Sequence, residues 1–78
     1  MHRTLFSKVK ETARTVRIRV GRSTSSHTSV STLDVPHESW RFVTARLPQR
    51  WEVGSVITMT FTPLELEYLQ GKIGLDDA

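Results

Sequence analysis

Apolar and polar residues alternate most regularly at two places along the chain. In RTVRIRVG, residues 14–21, Val16, Ile18 and Val20 occupy every second position, with Thr15, Arg17 and Arg19 between them. A period of two with β-branched residues on one side predicts a half-buried strand. SVITMTF, residues 55–61, repeats the pattern: Ile57, Met59 and Phe61 alternate with Thr58 and Thr60. A strand over 55–62 is expected there, entered through a turn or bulge at Gly54.

Between these strands RSTSSHTSVST, residues 22–32, carries eight Ser or Thr among eleven residues. Its shortness, between two apolar patterns, argues for a loop at 22–27 that leads into a second strand, 28–35. Pro36 has no N–H to give to a ladder and closes that strand. The strands 14–21 and 28–35 then form a β-hairpin.

Elsewhere the period changes. In PHESWRFVTARL, residues 36–47, Trp40, Val43 and Leu47 lie three and four apart, and Glu38 and Arg46 suit the two ends of a helix dipole. Trp, Phe, Val and Thr are also strand formers. The spacing favours a helix over 37–47, with a strand as the alternative. TPLE, residues 62–65, is an N-terminal helix signature: Thr62 and Glu65 form a reciprocal capping box, and Pro63 sits where its missing N–H costs nothing. Leu66, Leu69 and Ile73 continue one face and Gly71 is the expected stop, giving a C-terminal helix over 63–71. Residues 3–13 fit a helix or a strand, and 75–78 read as a frayed tail. The sum is an α+β fold in one domain over 1–78, a small antiparallel sheet with one face packed on the C-terminal helix.

Length limits what this fold can hold. A chain of 78 residues buries only about 60 to 65% of the surface its unfolded form exposes. With no cysteine, no disulfide supplements so small a core, and pairing of two copies into a homodimer is one remedy. The same absence removes thiolate metal sites and thiol nucleophiles.

Charge is divided unevenly. Residues 1–22 carry Arg3, Lys8, Lys10, Arg14, Arg17, Arg19 and Arg22 against Glu11, or 7 − 1 = +6, and the rest carries 4 − 7 = −3. Such a split points to an acidic partner for the basic segment. No apolar run reaches the roughly 20 residues that span a bilayer. The basic, hydroxyl-rich residues 1–32 share the composition of a transit peptide, but their strand alternation is too regular for one, and a cytoplasmic location is expected.

Candidate chemistry is sparse. His2, His27 and His37 lack the spacing of a helical metal site, and the four glycines stand apart rather than forming a phosphate loop. A small ribonuclease using His27 or His37 with an arginine is a further alternative, which substitution of both histidines by alanine would test. Neither catalysis nor a cofactor or metal is expected.

The basic strand remains. With its aliphatic side inward, Arg17 and Arg19 lie on the outer face about 6.5 to 7 Å apart, comparable with successive phosphates of a nucleic-acid strand. Arg14 and Arg22 flank them, and Lys8 and Lys10 join if the N-terminal segment lies alongside. Exposed arginines also block edge-to-edge aggregation, but six basic residues within 15 positions exceed that need. Hydroxyls of Thr24, Ser25, Ser26 and Thr28 can add phosphate contacts, and Trp51 beside Arg50 is a candidate stacking platform. Trp40 is expected in the core. The expected function is a non-catalytic binding module whose site is Lys8, Lys10, Arg14, Arg17, Arg19, Arg22, Arg50 and Trp51. Its partner would be DNA, RNA or a nucleic-acid-handling complex, without a membrane. The alternative is a phage-type inhibitor or adaptor that docks on an acidic surface of a host protein complex.

Overall fold

The computed structural model describes residues 13–74; the ambiguous segment before residue 13, with Lys8 and Lys10, and the tail at 75–78 lie outside them. Four strands, β1 (Arg14–Ser23), β2 (His27–Thr32), β3 (Ser39–Val43) and β4 (Val56–Phe61), form one antiparallel sheet in the order β3-β2-β1-β4. One α-helix among the described residues, α1 (Pro63–Gln70), follows β4. The α+β architecture expected from the sequence is the one observed.

β1 is central, and its two ends have different neighbours. Arg14 to Arg19 pair with β4, whereas Ile18 to Ser23 pair with β2. The register slips once: Val20 faces Val30, but the next β2 residue, Ser29, faces Arg22. Gly21 is thus the extra residue of a bulge. Strict alternation would send Arg22 inward behind Val16, Ile18 and Val20; the bulge turns it outward instead.

The helix expected over 37–47 is not formed. Residues 39–43 are a strand, and Thr44–Arg46 make one 3-10 turn. Both Trp40 and Phe42 are buried, at 8% and 0% exposure, opposite Val30 and Thr28 of β2. Two residues apart on a helix they would point about 200° from each other, so only a strand places both rings in one core. That burial outweighs the helical spacing of Trp40, Val43 and Leu47.

β2 ends at Thr32, short of the expected 35. The Thr32 N–H donates to the Glu38 carbonyl at 2.8 Å, and the Thr32 hydroxyl accepts from the Glu38 N–H at 2.7 Å. These bonds fold residues 33–38 into a loop that returns the chain as β3.

The core is Ile18, Val20, Val30, Trp40, Phe42, Leu47, Trp51 and Phe61. Trp40 meets Phe61 edge-on with centroids 5.4 Å apart, and Phe42 meets Trp51 similarly at 6.3 Å. Below them α1 touches both edge strands, β3 and β4, and so crosses the inner face of the sheet, adding Leu66 and Leu69.

Both ends of α1 are satisfied. The Thr62 hydroxyl accepts from the Glu65 N–H at 3.1 Å, and the Glu65 carboxylate accepts from the Thr62 N–H at 2.8 Å. At the other end Gly71 has φ 84°, and a β-carbon there would stand 2.9 Å from Val43 Cγ2, so glycine serves both the left-handed turn and the close approach. Arg46 donates to the carbonyls of Tyr68 and Ile73 and lies 4.5 Å from the Tyr68 ring centroid. It supplies the positive charge that a helix C-terminus favours, from outside the helix.

Candidate functional site

The inner face of the sheet is covered by α1 and the residue 47–55 segment that carries Trp51. Strand alternation and register place Thr15, Arg17, Arg19 and Arg22 of β1 on the other face, with Ser29 and Ser31 of β2, Ser39 and Arg41 of β3, and Val56, Thr58 and Thr60 of β4. Nothing among the described residues packs over it. The basic strand therefore presents Arg17, Arg19 and Arg22 together.

Arg14 does not join them. It shares the inward parity of Val16 and Ile18, and its guanidinium lies 5.8 Å from the Trp40 ring centroid and 5.7 Å from that of Phe61. Its Nη2 donates to Glu38 at 2.9 Å. The arginine thus caps the aromatic core at the sheet's lower end, anchored by a carboxylate that the Thr32–Glu38 bonds hold in place.

Arg17 is on the outer face but is not free. Its Nε and Nη2 donate to the two carboxylate oxygens of Asp34 at 3.2 and 2.9 Å. Those hydrogen bonds, helped by the guanidinium charge, hold the Asp34 carboxyl below the ordinary carboxylate range, and the same contacts raise the pKa of Arg17.

Arg19 and Arg22 differ from both. Neither has an ion pair among the described residues, and neither has Arg41. Arg41 is the residue that sequence reasoning missed: assigned to a helix, it had no route to the basic strand. As part of β3 it faces Ser29, which also faces Arg22. Arg22, Ser29 and Arg41 thus form a row across three strands, with the two arginine backbones about 10 Å apart. Arg19 lies on the adjacent row, with Ser31 and Ser39, about 7 Å along the strands. The signal for Arg41 was present in SWRFV, whose alternation of Ser39 and Arg41 against Trp40 and Phe42 is that of a strand.

Other expected members of the site separate. Trp51 is 6% exposed and packs on Phe42, so it offers no stacking platform. Every tryptophan and phenylalanine among the described residues belongs to the core set. Arg50 is exposed and donates from Nε to the Ser23 hydroxyl at 3.1 Å, which puts it at the rim where β1 ends. Thr28 is fully buried and its hydroxyl bonds that of Thr44 at 2.8 Å, so it cannot serve the outer face. The two described histidines stay apart, His27 opening β2 and His37 lying in the loop beyond its other end.

Beside the Arg22–Ser29–Arg41 row is an open depression of about 390 Å³, lined by Arg22, Thr24, Ser26, His27, Ser29 and Arg41. Among the described residues no carboxylate lines it. No helix of the described residues is long and apolar enough to cross a membrane.

Comparison of the chain with protein families, with curated proteins and with solved structures gives no match. The site must be read from its own chemistry.

Proposed function

We propose that this protein binds nucleic acid through its phosphates, using the outer face of the sheet. The observation that carries the reading is the trio Arg19, Arg22 and Arg41, brought together by three strands and left without a carboxylate among the described residues. Guanidiniums that answer no internal charge are free to replace the counterions of a polyanion. Serines 29, 31 and 39 between them add donors that fix a phosphate without reading a base.

The aromatic rings sharpen this. Single-strand binders that grip bases stack them on exposed aromatics, whereas here the tryptophans lie inward. Binding should therefore be indifferent to base sequence, with Kd on the order of 10⁻⁴ to 10⁻⁶ M at physiological salt. Three neutralised phosphates give a slope of about −2.7 for log affinity against log salt, so raising salt from about 50 to 200 mM weakens binding about 40-fold.

The test is a titration of a labelled oligonucleotide of mixed sequence across that salt range. A slope near zero, or no binding at low salt, rules the reading out. The alternative, docking on an acidic protein surface, draws on the same cations and would then be the one to pursue.

A further inference from the structure

The outer face is not uniform. Most of it is pleated surface, but at the end where β1 turns into β2 the 24–27 segment rises beside the sheet and walls the depression between Arg22 and Arg41. The wall is held from within: the Thr24 hydroxyl donates to the His27 carbonyl at 2.9 Å and accepts from the His27 N–H at 3.0 Å, and the Thr44 hydroxyl donates to the Thr24 carbonyl at 2.8 Å. The His27 ring is tethered through Nδ1 to the Ser26 hydroxyl at 3.3 Å. The rim is thus built, and the groups facing the hollow are left over. Among the described residues, neither guanidinium of Arg22 and Arg41 has a hydrogen-bond or ion-pair partner, and the Ser29 hydroxyl between them has none.

Two guanidiniums carry ten N–H donors in fixed forks. An internal phosphodiester offers one negative charge, and the chain must continue on both sides of it. A phosphate monoester carries about −1.5 to −2 charges near neutral pH and presents three oxygens, which suits two arginine forks that line one depression. A walled hollow also accommodates a group from which the chain leaves on one side only. We propose that this depression is a pocket for a phosphate monoester, and that it takes the terminal phosphate of a nucleic-acid strand while Arg19 contacts the phosphates that follow. The proposal rests on the nucleic-acid reading above.

The test uses the full chain and one oligonucleotide sequence in three forms: phosphorylated at the 5′ end, phosphorylated at the 3′ end, and with both ends hydroxyl. One phosphorylated form should bind about tenfold more tightly than the hydroxyl form, the scale of one charge-assisted hydrogen bond, and inorganic phosphate should compete that advantage away. Arg22→Ala and Arg41→Ala should each remove the advantage. Arg19→Ala should weaken all three forms alike. The double variant Arg22→Lys with Arg41→Lys keeps the charge but loses the forks, so it should keep the salt slope and lose the preference for a phosphorylated end. Equal binding of all three forms overturns the pocket while leaving the phosphate-backbone reading intact; no binding of any form overturns both.

Discussion

The two ends of β1 carry the same residue type and do opposite things with it. At the first end Arg14 and Arg17 meet Glu38 and Asp34, two guanidiniums against two carboxylates, and the local charge is zero. At the second end Arg19 and Arg22, with Arg41 from β3, meet none among the described residues, and the local charge of those residues is +3. The difference lies in the neighbours. β1 is staggered, so its first half lies beside the 33–38 loop, where both acids are, and its second half lies beside β2 and β3, whose outward residues include serines, His27 and Arg41 but no acid. Charge counted along a sequence is therefore a poor guide to charge on a surface. The six basic residues between 8 and 22 suggest one platform, whereas the fold divides those it describes into a structural pair and a free pair, and recruits a partner from twenty residues on.

The largest expected effect tests whether β3 delivers Arg41 at all. Phe42 is fully buried because residues 39–43 are a strand. Phe42→Ala should cost about 3 to 5 kcal/mol, a large part of the roughly 4 to 12 kcal/mol expected for a domain of this size. Urea denaturation should show a greatly lowered midpoint. Were 37–47 a helix with Phe42 turned outward, the loss would be small, and the Arg22–Ser29–Arg41 row would not exist.

Next comes the contrast itself. The variant lacking Arg19, Arg22 and Arg41 should lose the salt dependence of oligonucleotide binding, its slope falling from about −2.7 to near zero. Replacing Arg14 and Arg17 by alanine should leave the slope nearly unchanged, since neither offers a free charge. Equal effects from the two sets would erase the distinction between the ends. A smaller effect supplies a control on stability. Thr62→Ala removes one half of the capping box and should cost about 1 kcal/mol, or about 4 to 8 °C in Tm. Because α1 underlies both ends, the salt slope should not move.

How far these features could be read in advance depended on how local their causes are. The capping box at Thr62 and Glu65 is complete within four residues, and both β1 and β4 announce themselves by alternation, so all three were legible. Residues 36–47 carry a helical and a strand pattern at once, and only the shared core decides between them: Trp40 and Phe42 must both reach the same aromatic cluster. Arg22 reached the outer face through a one-residue bulge for which Gly21 was the sole local hint. The pairings of Arg14 with Glu38 and Arg17 with Asp34 depend on a loop tied down at Thr32, a distance in sequence that no periodicity encodes. Thus the candidate site was legible in kind but not in membership. Arg19 and Arg22 were found, Arg14 and Trp51 belong with the core, and Arg41 emerged only from strand pairing.

The smallest expected effect concerns the one outward arginine that is occupied. Asp34→Asn replaces the carboxylate that holds Arg17 and should convert the neutral end of the outer face into a partial extension of the charged one. One more free guanidinium should steepen the salt slope by about 0.9. Glu38→Gln, which frees Arg14 on the opposite face, should not steepen it. Asp34→Asn also has a pH signature. A carboxyl whose folded-state pKa is lowered stabilises the fold above its unfolded value, ordinarily about 3.9, and that contribution disappears as pH falls through the lowered folded value. Hence any Tm advantage of the natural chain over Asp34→Asn should be present at neutral pH, vanish in acid, and persist unchanged on the alkaline side until Arg17 itself titrates. Both ions are well exposed, at 57% and 60% of their side chains, so screening by salt should shrink that advantage while the gain in oligonucleotide binding remains measurable at low salt. An Asn variant that bound no more steeply would mean that Arg17 faces phosphate as well when paired as when free, and the two ends of β1 would then differ in structure without differing in function.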